Sequence, residues 1–279
     1  MILVTGASGT VGREVVGALA AAGAQFKAGY RSRPQNIPDK VESVAIDFDK
    51  PETIAPALRG VDTVFLLSNM VEPEKRVVDE AKRAGVKKIV KLSVNGAAEE
   101  AFTFARWHRA VEKHIEGSGL GWTFLRPSGF MQNFDNYMGD TIRKQGAFYT
   151  ATGPRGAGAH IDARDIGAAA AAVLTGGHEK KAYELTGPRA ITYDEAARIL
   201  SQAAGREIRH VAITPDQFRE GALAMGMPAP YVDALVDLDR AYSTGALLQV
   251  TGMVKALTGR DPITFEQFAK DNADRFRAA

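Results

Sequence analysis

Three glycines near the N-terminus, Gly6, Gly9 and Gly12, have the spacing and flanks of an anion cradle. Gly6 permits a tight exit from an extended segment. Gly9 lets backbone N–H groups approach a pyrophosphate with no Cβ in the way, and Gly12 lets the next helix pack closely on the strand before it. A helix N-terminus adds unpaired N–H donors and the positive end of the helix dipole. Gly6, Ser8, Gly9, Thr10, Val11 and Gly12 are therefore the residues expected around a dinucleotide phosphate. The spacing is Gly-x-x-Gly-x-x-Gly rather than Gly-x-Gly-x-x-Gly, so the flanks carry the argument. Before the turn, Ile2-Leu3-Val4-Thr5 is too short for a helix and suits a buried parallel strand. After it, Arg13 to Ala22 places Val15, Val16, Leu19 and Ala20 at helical spacing and is closed by Gly23. Gln25 to Tyr30 supplies a second strand and completes a βαβ unit.

The end of that second strand bears on the choice of nucleotide. NAD-specific units carry an acid about 20 residues beyond the glycine turn, on the ribose 2′-hydroxyl. Here Arg31 stands in that place, with Arg33 close behind. An arginine grips a 2′-phosphate by charge-assisted hydrogen bonds, so NADPH is expected over NADH; the alternative is a pair of solvated surface arginines. Val41 to Ile46 forms a third strand and ends at Asp47 and Phe48, where an adenine would lie. Asp47 is either an adenine contact or a cap for the helix Pro51 to Leu58. Val61 to Leu67 is the fourth strand, and Leu67 and Ser68, with Asn69, end it beside the cofactor. Lys88 to Leu92 is the fifth strand, followed by Ser93. Gly121 to Leu125 is the sixth, followed by Arg126 and Pro127; Ser93 and Pro127 complete the expected cofactor contacts.

Helices at Glu74 to Ala84 and Phe102 to Gly117 separate these strands. The alternation predicts an α/β fold, a Rossmann-like doubly wound parallel sheet that binds its ligand at the carboxyl ends of the strands. Beyond Pro127 the rhythm changes. Ser128 to Phe134 is aromatic and apolar, and Gly146 to Gly158 reads as a mobile loop over a pocket. Ala163 to Leu174 is an alanine-rich helix with Asp162 or Asp165 near its start, and Ala182 to Leu185 adds a seventh strand. The remainder is mainly helical: Tyr193 to Ala204, Pro215 to Ala224, Ala229 to Leu238 and Thr264 to Phe276, with Thr192 and Thr264 as N-caps. The division expected is residues 1–127, with 160–187 returning to them, as the dinucleotide-binding domain. Residues 128–159 and 188–279 then form a smaller substrate or partner lobe.

Composition narrows the function. The chain has 279 residues, 45% of them hydrophobic and 24% charged, with a formal net charge of +2. Without a dense Lys/Arg run, direct nucleic-acid binding is not expected. The absence of cysteine removes disulfides, thiolate metal sites and cysteine nucleophiles, and no metal site is expected. No segment reads as a signal peptide or membrane span, so the expectation is a soluble, cytoplasmic protein without a membrane partner. Association with further copies of the chain is left open.

A family resemblance rests on longer motifs. Thr5-Gly6-Ala7-Ser8-Gly9-Thr10-Val11-Gly12 resembles the glycine turn of the atypical short-chain dehydrogenase/reductases. Gly117-Ser118-Gly119-Leu120, Trp122 to Pro127 and Phe130-Met131-Gln132-Asn133 resemble their NmrA-like branch. So do Asp162 to Gly167, Tyr183 to Gly187, and Val254 to Pro262 with Phe265 and Phe268, so that nearly the whole chain is covered. The resemblance implies one of two functions. The branch holds NAD(P)H-dependent reductases of quinones, azo dyes and triphenylmethane dyes, and also redox-sensing regulators that bind NADP without turning it over.

One departure bears on the chemistry. Tyrosine-dependent members of the wider superfamily carry Tyr-x-x-x-Lys on the helix after the fifth strand, the lysine often followed four residues later by Glu. Here Phe104 takes the tyrosine place and His108 the lysine place, with Glu112 following. Phenylalanine has no proton to give. Ser93 matches the serine after the fifth strand, so the resemblance makes Ser93 and His108 the catalytic candidates, His108 at the nicotinamide ribose. The plainer reading of His108 is a polar residue on a half-exposed helix, with Trp107 as packing. His160 and Tyr149 are further acid–base candidates. The function expected is hydride transfer from NADPH to a small, flat, electron-poor aromatic acceptor, a quinone or dye. Phe130, Met131, Asn133, Phe134 and Tyr137 would wall that acceptor, unless they are simply core. The alternative for the whole chain is NADP sensing without turnover.

Overall fold

The computed structural model describes residues 1–31, 41–68 and 70–278. Arg33 and Asn69 lie outside the described residues. In chain order the strands are β1 (Ile2–Val4), β2 (Phe26–Tyr30), β3 (Glu42–Ala45), β4 (Thr63–Leu66), β5 (Lys88–Leu92), β6 (Gly121–Pro127), β7 (Ala147–Thr150), β8 (Ala157–Gly158), β9 (Lys181–Leu185), β10 (Ile191–Thr192) and β11 (Arg209–Ala212). The helices in the first part are α1 (Thr10–Ala21), α2 (Ile54–Ala57), α3 (Val71–Arg83), α4 (Thr103–Ser118), α5 (Asn133–Asn136), α6 (Gly139–Gln145) and α7 (Ala163–Thr175). Those that follow are α8 (Tyr193–Ala204), α9 (Pro215–Ala224), α10 (Ala229–Ser243), α11 (Met253–Thr258) and α12 (Phe265–Asp271).

Seven strands form one sheet in the order β3-β2-β1-β4-β5-β6-β9, and every neighbouring pair is parallel. Strand alternation sends successive side chains to opposite faces. Val4, Phe65 and Val90 face the layer of α1 and α7, where they meet Val15, Leu19 and Ile166. Leu3, Val64, Leu66 and Ile89 face the other layer, where they meet Val77 and Ile115. Both faces are covered, which is why the strands read as continuous apolar runs. The C-terminal region is mainly helical and has its own buried cluster around Phe134, Phe148, Tyr193, Phe265 and Phe268. Among the described residues no helix is long and apolar enough to cross a membrane.

Several caps stand where the sequence puts them. Asp162 accepts a hydrogen bond from the Arg164 N–H at 2.8 Å at the start of α7. Thr192 and Thr264 cap α8 and α12. The segment 146–158 is not the mobile loop expected. β7 pairs in parallel with β11, and β8 pairs antiparallel with β10. Its small residues serve close packing: a Cβ on Gly158 would lie 2.5 Å from Tyr242 Cε1.

The glycine turn gives a stability test. A Cβ on Gly12 would sit 2.0 Å from the Gly6 carbonyl oxygen and 2.8 Å from Ala7 Cα. These are backbone atoms that cannot swing aside. A Cβ on Gly9 would meet that same oxygen at 3.3 Å, so folding alone does not demand glycine there. Gly12→Ala is expected to cost about 3 kcal/mol by overpacking, and Gly9→Ala about 1 kcal/mol as a poorer N-cap. Urea midpoints compare the two, and equal stability would remove the packing role of Gly12.

Candidate functional site

The sheet order reverses at β1, which has β2 on one side and β4 on the other. Ligands of open α/β sheets bind at such a switch point, outside the carboxyl ends of the strands. Thr5 locks this point: its Oγ1 donates to the Phe65 carbonyl at 2.9 Å and accepts from the Leu67 N–H at 3.0 Å. The chain then turns through Gly6 and enters α1, whose N-cap is Gly9, with no side-chain cap. The Arg13 N–H donates to the Gly9 carbonyl at 3.0 Å. Ahead of it, the N–H groups of Thr10, Val11 and Gly12 have no carbonyl one turn back to bond. The Val11 side chain is core, 3% exposed, so its N–H is what it offers an anion. Ser8 and Gly9 are exposed. Asn136 Nδ2 donates to Thr10 Oγ1 at 3.1 Å, tying the segment after β6 back to the turn.

Arg31 is exposed just past the end of β2, after the buried Tyr30. Asp47 does not cap the helix that follows, whose segments begin after Lys50 and Thr53 without a side-chain cap; its Oδ1 accepts from the Asp49 N–H at 3.1 Å, and its own N–H donates to Thr53 Oγ1 at 2.9 Å. Phe48 packs against the core under α2 and α3. Leu67 stands over the turn, since a Cβ on Gly6 would approach its Cδ2 to 3.0 Å. Ser68 Oγ accepts from the Met70 N–H at 3.0 Å.

On the other side of the switch point, β5 and β6 deliver a second group. The Ser93 N–H donates to the Leu125 carbonyl at 2.7 Å. Its hydroxyl is buried with no hydrogen-bond partner among the described residues. Buried hydroxyls are nearly always paired, so this one has a hydrogen bond to offer that the described residues do not take up. The Asn95 N–H donates to the Pro127 carbonyl at 2.9 Å, holding the ends of β5 and β6 together. Arg126 forks onto Glu112, Nε to Oε1 at 2.9 Å and Nη2 to Oε2 at 2.7 Å. It also reaches Glu184 at 3.2 Å, which Asn95 contacts at 2.9 Å. Burial lifts the Glu184 carboxyl to about 7 against the pull of Arg126. Because Glu112 lies one turn beyond His108, the Arg126 fork sets the height of α4 against the sheet.

His108 lines a small cleft with Met70, Val71, Glu74, Phe104, Trp107 and Val111. Beneath it lies a buried ion pair, Lys91 Nζ to Glu74 Oε2 at 2.5 Å, with side chains 0% and 1% exposed. Burial pushes the Glu74 carboxyl up to about 6 although Lys91 pulls it down. Burial first, and then the Lys91 ammonium, hold the His108 imidazole well below its usual value. It is therefore neutral at pH 7 and able to donate one hydrogen bond and accept another. Phe104 sits one turn earlier on α4, its ring edge-on to Trp107 at 5.2 Å and to Tyr231 of α10 at 5.4 Å.

The expected acceptor wall divides. Met131 and Phe134 are each 1% exposed. Phe134 packs against Phe148 at 5.5 Å and Phe265 at 5.0 Å. They are core, because the C-terminal helices bring aromatic partners that close over them. Phe130 is partly buried against the sheet core, Asn133 opens α5, and Tyr137 is 72% exposed. The two further acid–base candidates stand in different surroundings. His160 is stacked on Tyr242 at 5.5 Å, and burial drives its imidazole down to about 4. Tyr149 points outward from β7 and donates to Gln145 Oε1 at 2.8 Å. Glu74, Lys91 and Tyr231 are not among the residues that the sequence marks. A lysine inside the apolar run Lys88 to Leu92 was the available sign for Lys91; nothing local marks Tyr231.

The open α1 terminus and the unpartnered Ser93 hydroxyl fit a nicotinamide dinucleotide laid across the strand ends. Comparisons with known proteins agree. The NmrA-like family model matches residues 1–268. An NAD(P)H azoreductase of Xenophilus azovorans is 41% identical over 289 aligned residues, covering 100% of both chains. Quinone oxidoreductase 2 of Escherichia coli is 28% identical, covering 96% of each chain. The crystal structure of the Citrobacter sp. triphenylmethane reductase complexed with NADP(H) superposes with a TM-score of 0.83 at 27% identity, covering 98% of this chain and 100% of that one.

Proposed function

The chain belongs to the NmrA-like family, and from that membership and the site's geometry we propose that it is an NAD(P)H-dependent oxidoreductase, preferring NADPH, that reduces flat, electron-poor aromatic acceptors such as quinones and azo dyes. The observation that carries this reading is the buried, unpartnered Ser93 hydroxyl, set at the same strand ends as the open N-terminus of α1. Gly6 to Gly12 would hold the pyrophosphate and Arg31 the 2′-phosphate. Ser93 and the neutral His108 would hold the nicotinamide end. When bound, a reduced nicotinamide supplies the hydride. The chain's own work is to align two planar rings and keep water from between them. Phe104, in the tyrosine place, offers no proton, which suits acceptors that take their proton from water afterwards. Phe130, Asn133 and Tyr137 remain for the acceptor.

The test is steady oxidation of NADPH, with NADH in parallel, by purified protein given a naphthoquinone and an azo dye. Turnover with both acceptors is expected, faster with NADPH. Tight NADPH binding with no oxidation by any acceptor would replace the reductase with a nucleotide sensor.

A further inference from the structure

Two ionisable side chains line the cleft between α3 and α4, Glu74 from the one and His108 from the other. The Glu74 carboxylate is engaged mainly through one oxygen. Lys91 Nζ donates to its Oε2 at 2.5 Å and to the Leu92 carbonyl at 3.1 Å, which pins both the lysine and the carboxylate. The Ser68 backbone N–H, at the end of β4, adds a weaker pull on the same carboxylate. Glu74 Oε1 is buried and has no hydrogen-bond partner among the described residues. Buried polar atoms are nearly always paired. Across the cleft, His108 makes no hydrogen bond to a described residue. The cleft has a volume of about 10 Å³, room for about one water molecule. Its other lining side chains, Met70, Val71, Phe104, Trp107 and Val111, carry no oxygen. Among the lining side chains, the oxygen open to an imidazole N–H is therefore Glu74 Oε1.

We propose that Glu74 is the positioning residue of His108: Oε1 takes the imidazole N–H through one bridging water and fixes the tautomer whose other nitrogen, unprotonated, faces the cofactor. The water accepts from the imidazole and donates to the carboxylate. A neutral imidazole has one donor and one acceptor, and the bond made by one nitrogen decides what the other presents. Because Lys91 pins the carboxylate, the imidazole is oriented from a fixed point on β5. A nitrogen held as an acceptor takes a hydrogen bond from a ribose hydroxyl at the nicotinamide end, where a lysine would give one. It also has no proton to offer the substrate, in keeping with acceptors that are protonated from water. The proposal rests on the reductase reading for what lies beyond His108, but the pairing with Glu74 can be read in the protein without cofactor.

The experiment reads the ¹⁵N signals of the His108 ring in the full-length, histidine-labelled protein, assigned by their loss in His108→Asn. NADPH affinity is followed by titration calorimetry. In the unaltered chain His108 should show one tautomer. Two paired replacements then separate hydrogen bonding from charge, since each removes both members of the buried ion pair and strands neither. Glu74→Met with Lys91→Met leaves no oxygen at the place of Oε1, whereas Glu74→Gln with Lys91→Met keeps one. The first pair should mix the tautomers and weaken NADPH about tenfold. The second should recover a single tautomer and an affinity within about twofold of the unaltered chain's. With His108→Asn added, the two pairs should bind NADPH alike. Both tautomers of His108 in the unaltered chain would overturn the proposal without any variant. So would equal effects of the two pairs, which would make Glu74 and Lys91 a buried charge pair and nothing more. A tautomer that follows Glu74 while NADPH affinity stays constant would uphold the pairing and remove His108 from the nicotinamide end.

Discussion

Arg31→Ala is expected to weaken NADPH binding roughly 10- to 150-fold while leaving NADH within about twofold. The residue sits one step past the end of β2, exposed and beyond the buried Tyr30, where an acid would hold a ribose 2′-hydroxyl in an NAD-specific site. A hydrogen bond between ions contributes about 1.5–3 kcal/mol, and each 1.4 kcal/mol is about tenfold in affinity, which gives the range. The 2′-phosphate is the only difference between the two nucleotides, so the ratio of the two losses isolates that contact from any general damage to the strand end. Titration calorimetry with both nucleotides reads it directly. Because the attraction is ionic, the NADPH advantage should also shrink as salt rises. Equal loss of both nucleotides would return Arg31 to an ordinary surface charge and leave the preference for NADPH without a cause.

What could be read without the structure was mostly local. The βαβ unit, the Thr192 and Thr264 caps and the seventh strand follow from residues within a turn or two of one another, where spacing and side-chain chemistry decide the conformation. What could not be read depended on partners far along the chain. Gly146 to Gly158 has the composition of a mobile loop, yet it is packed. Tyr242 comes from α10 to lie against Gly158, and β11 pairs with β7. Likewise Phe134 has the right type for an acceptor wall, and only the arrival of Phe148 and Phe265 makes it core. Asp47 illustrates an ambiguity of a different sort. A carboxylate at a strand end suits a ligand and a helix cap equally, and here the nearby Asp49 N–H engages it while the helix that follows has no side-chain cap. The site's electrostatics were least legible, since Glu74 and Lys91 lie on different elements and only the stacking of α3 on β5 makes them a pair.

The widest separation expected is between acceptors. A simple aliphatic ketone becomes an alkoxide as hydride reaches its carbon, and that oxyanion needs a positioned proton or donor to lower the barrier. Phe104 offers neither. Ser93 is a hydroxyl without a hydrogen-bond partner among the described residues, and His108, neutral at pH 7, is assigned to the nicotinamide end in the proposed reading. A quinone spreads the arriving charge over its conjugated ring and can be protonated from solvent later. General acid catalysis is worth about 10²–10⁴-fold, so kcat/KM for unactivated ketones should fall at least about 100-fold below that for quinones of similar size. Phe104→Leu should leave quinone kcat within a few-fold, because no acid is lost. Phe104→Tyr should raise ketone reduction more than quinone reduction, if its hydroxyl reaches the oxygen that the tyrosine-dependent enzymes protonate. The measurement is NADPH oxidation across matched quinone and ketone panels for the three proteins. Ketone turnover by the unaltered chain at rates near its quinone turnover would mean that some group other than Phe104 delivers a proton in the transition state. The neutral imidazole of His108 would then be the first residue to replace.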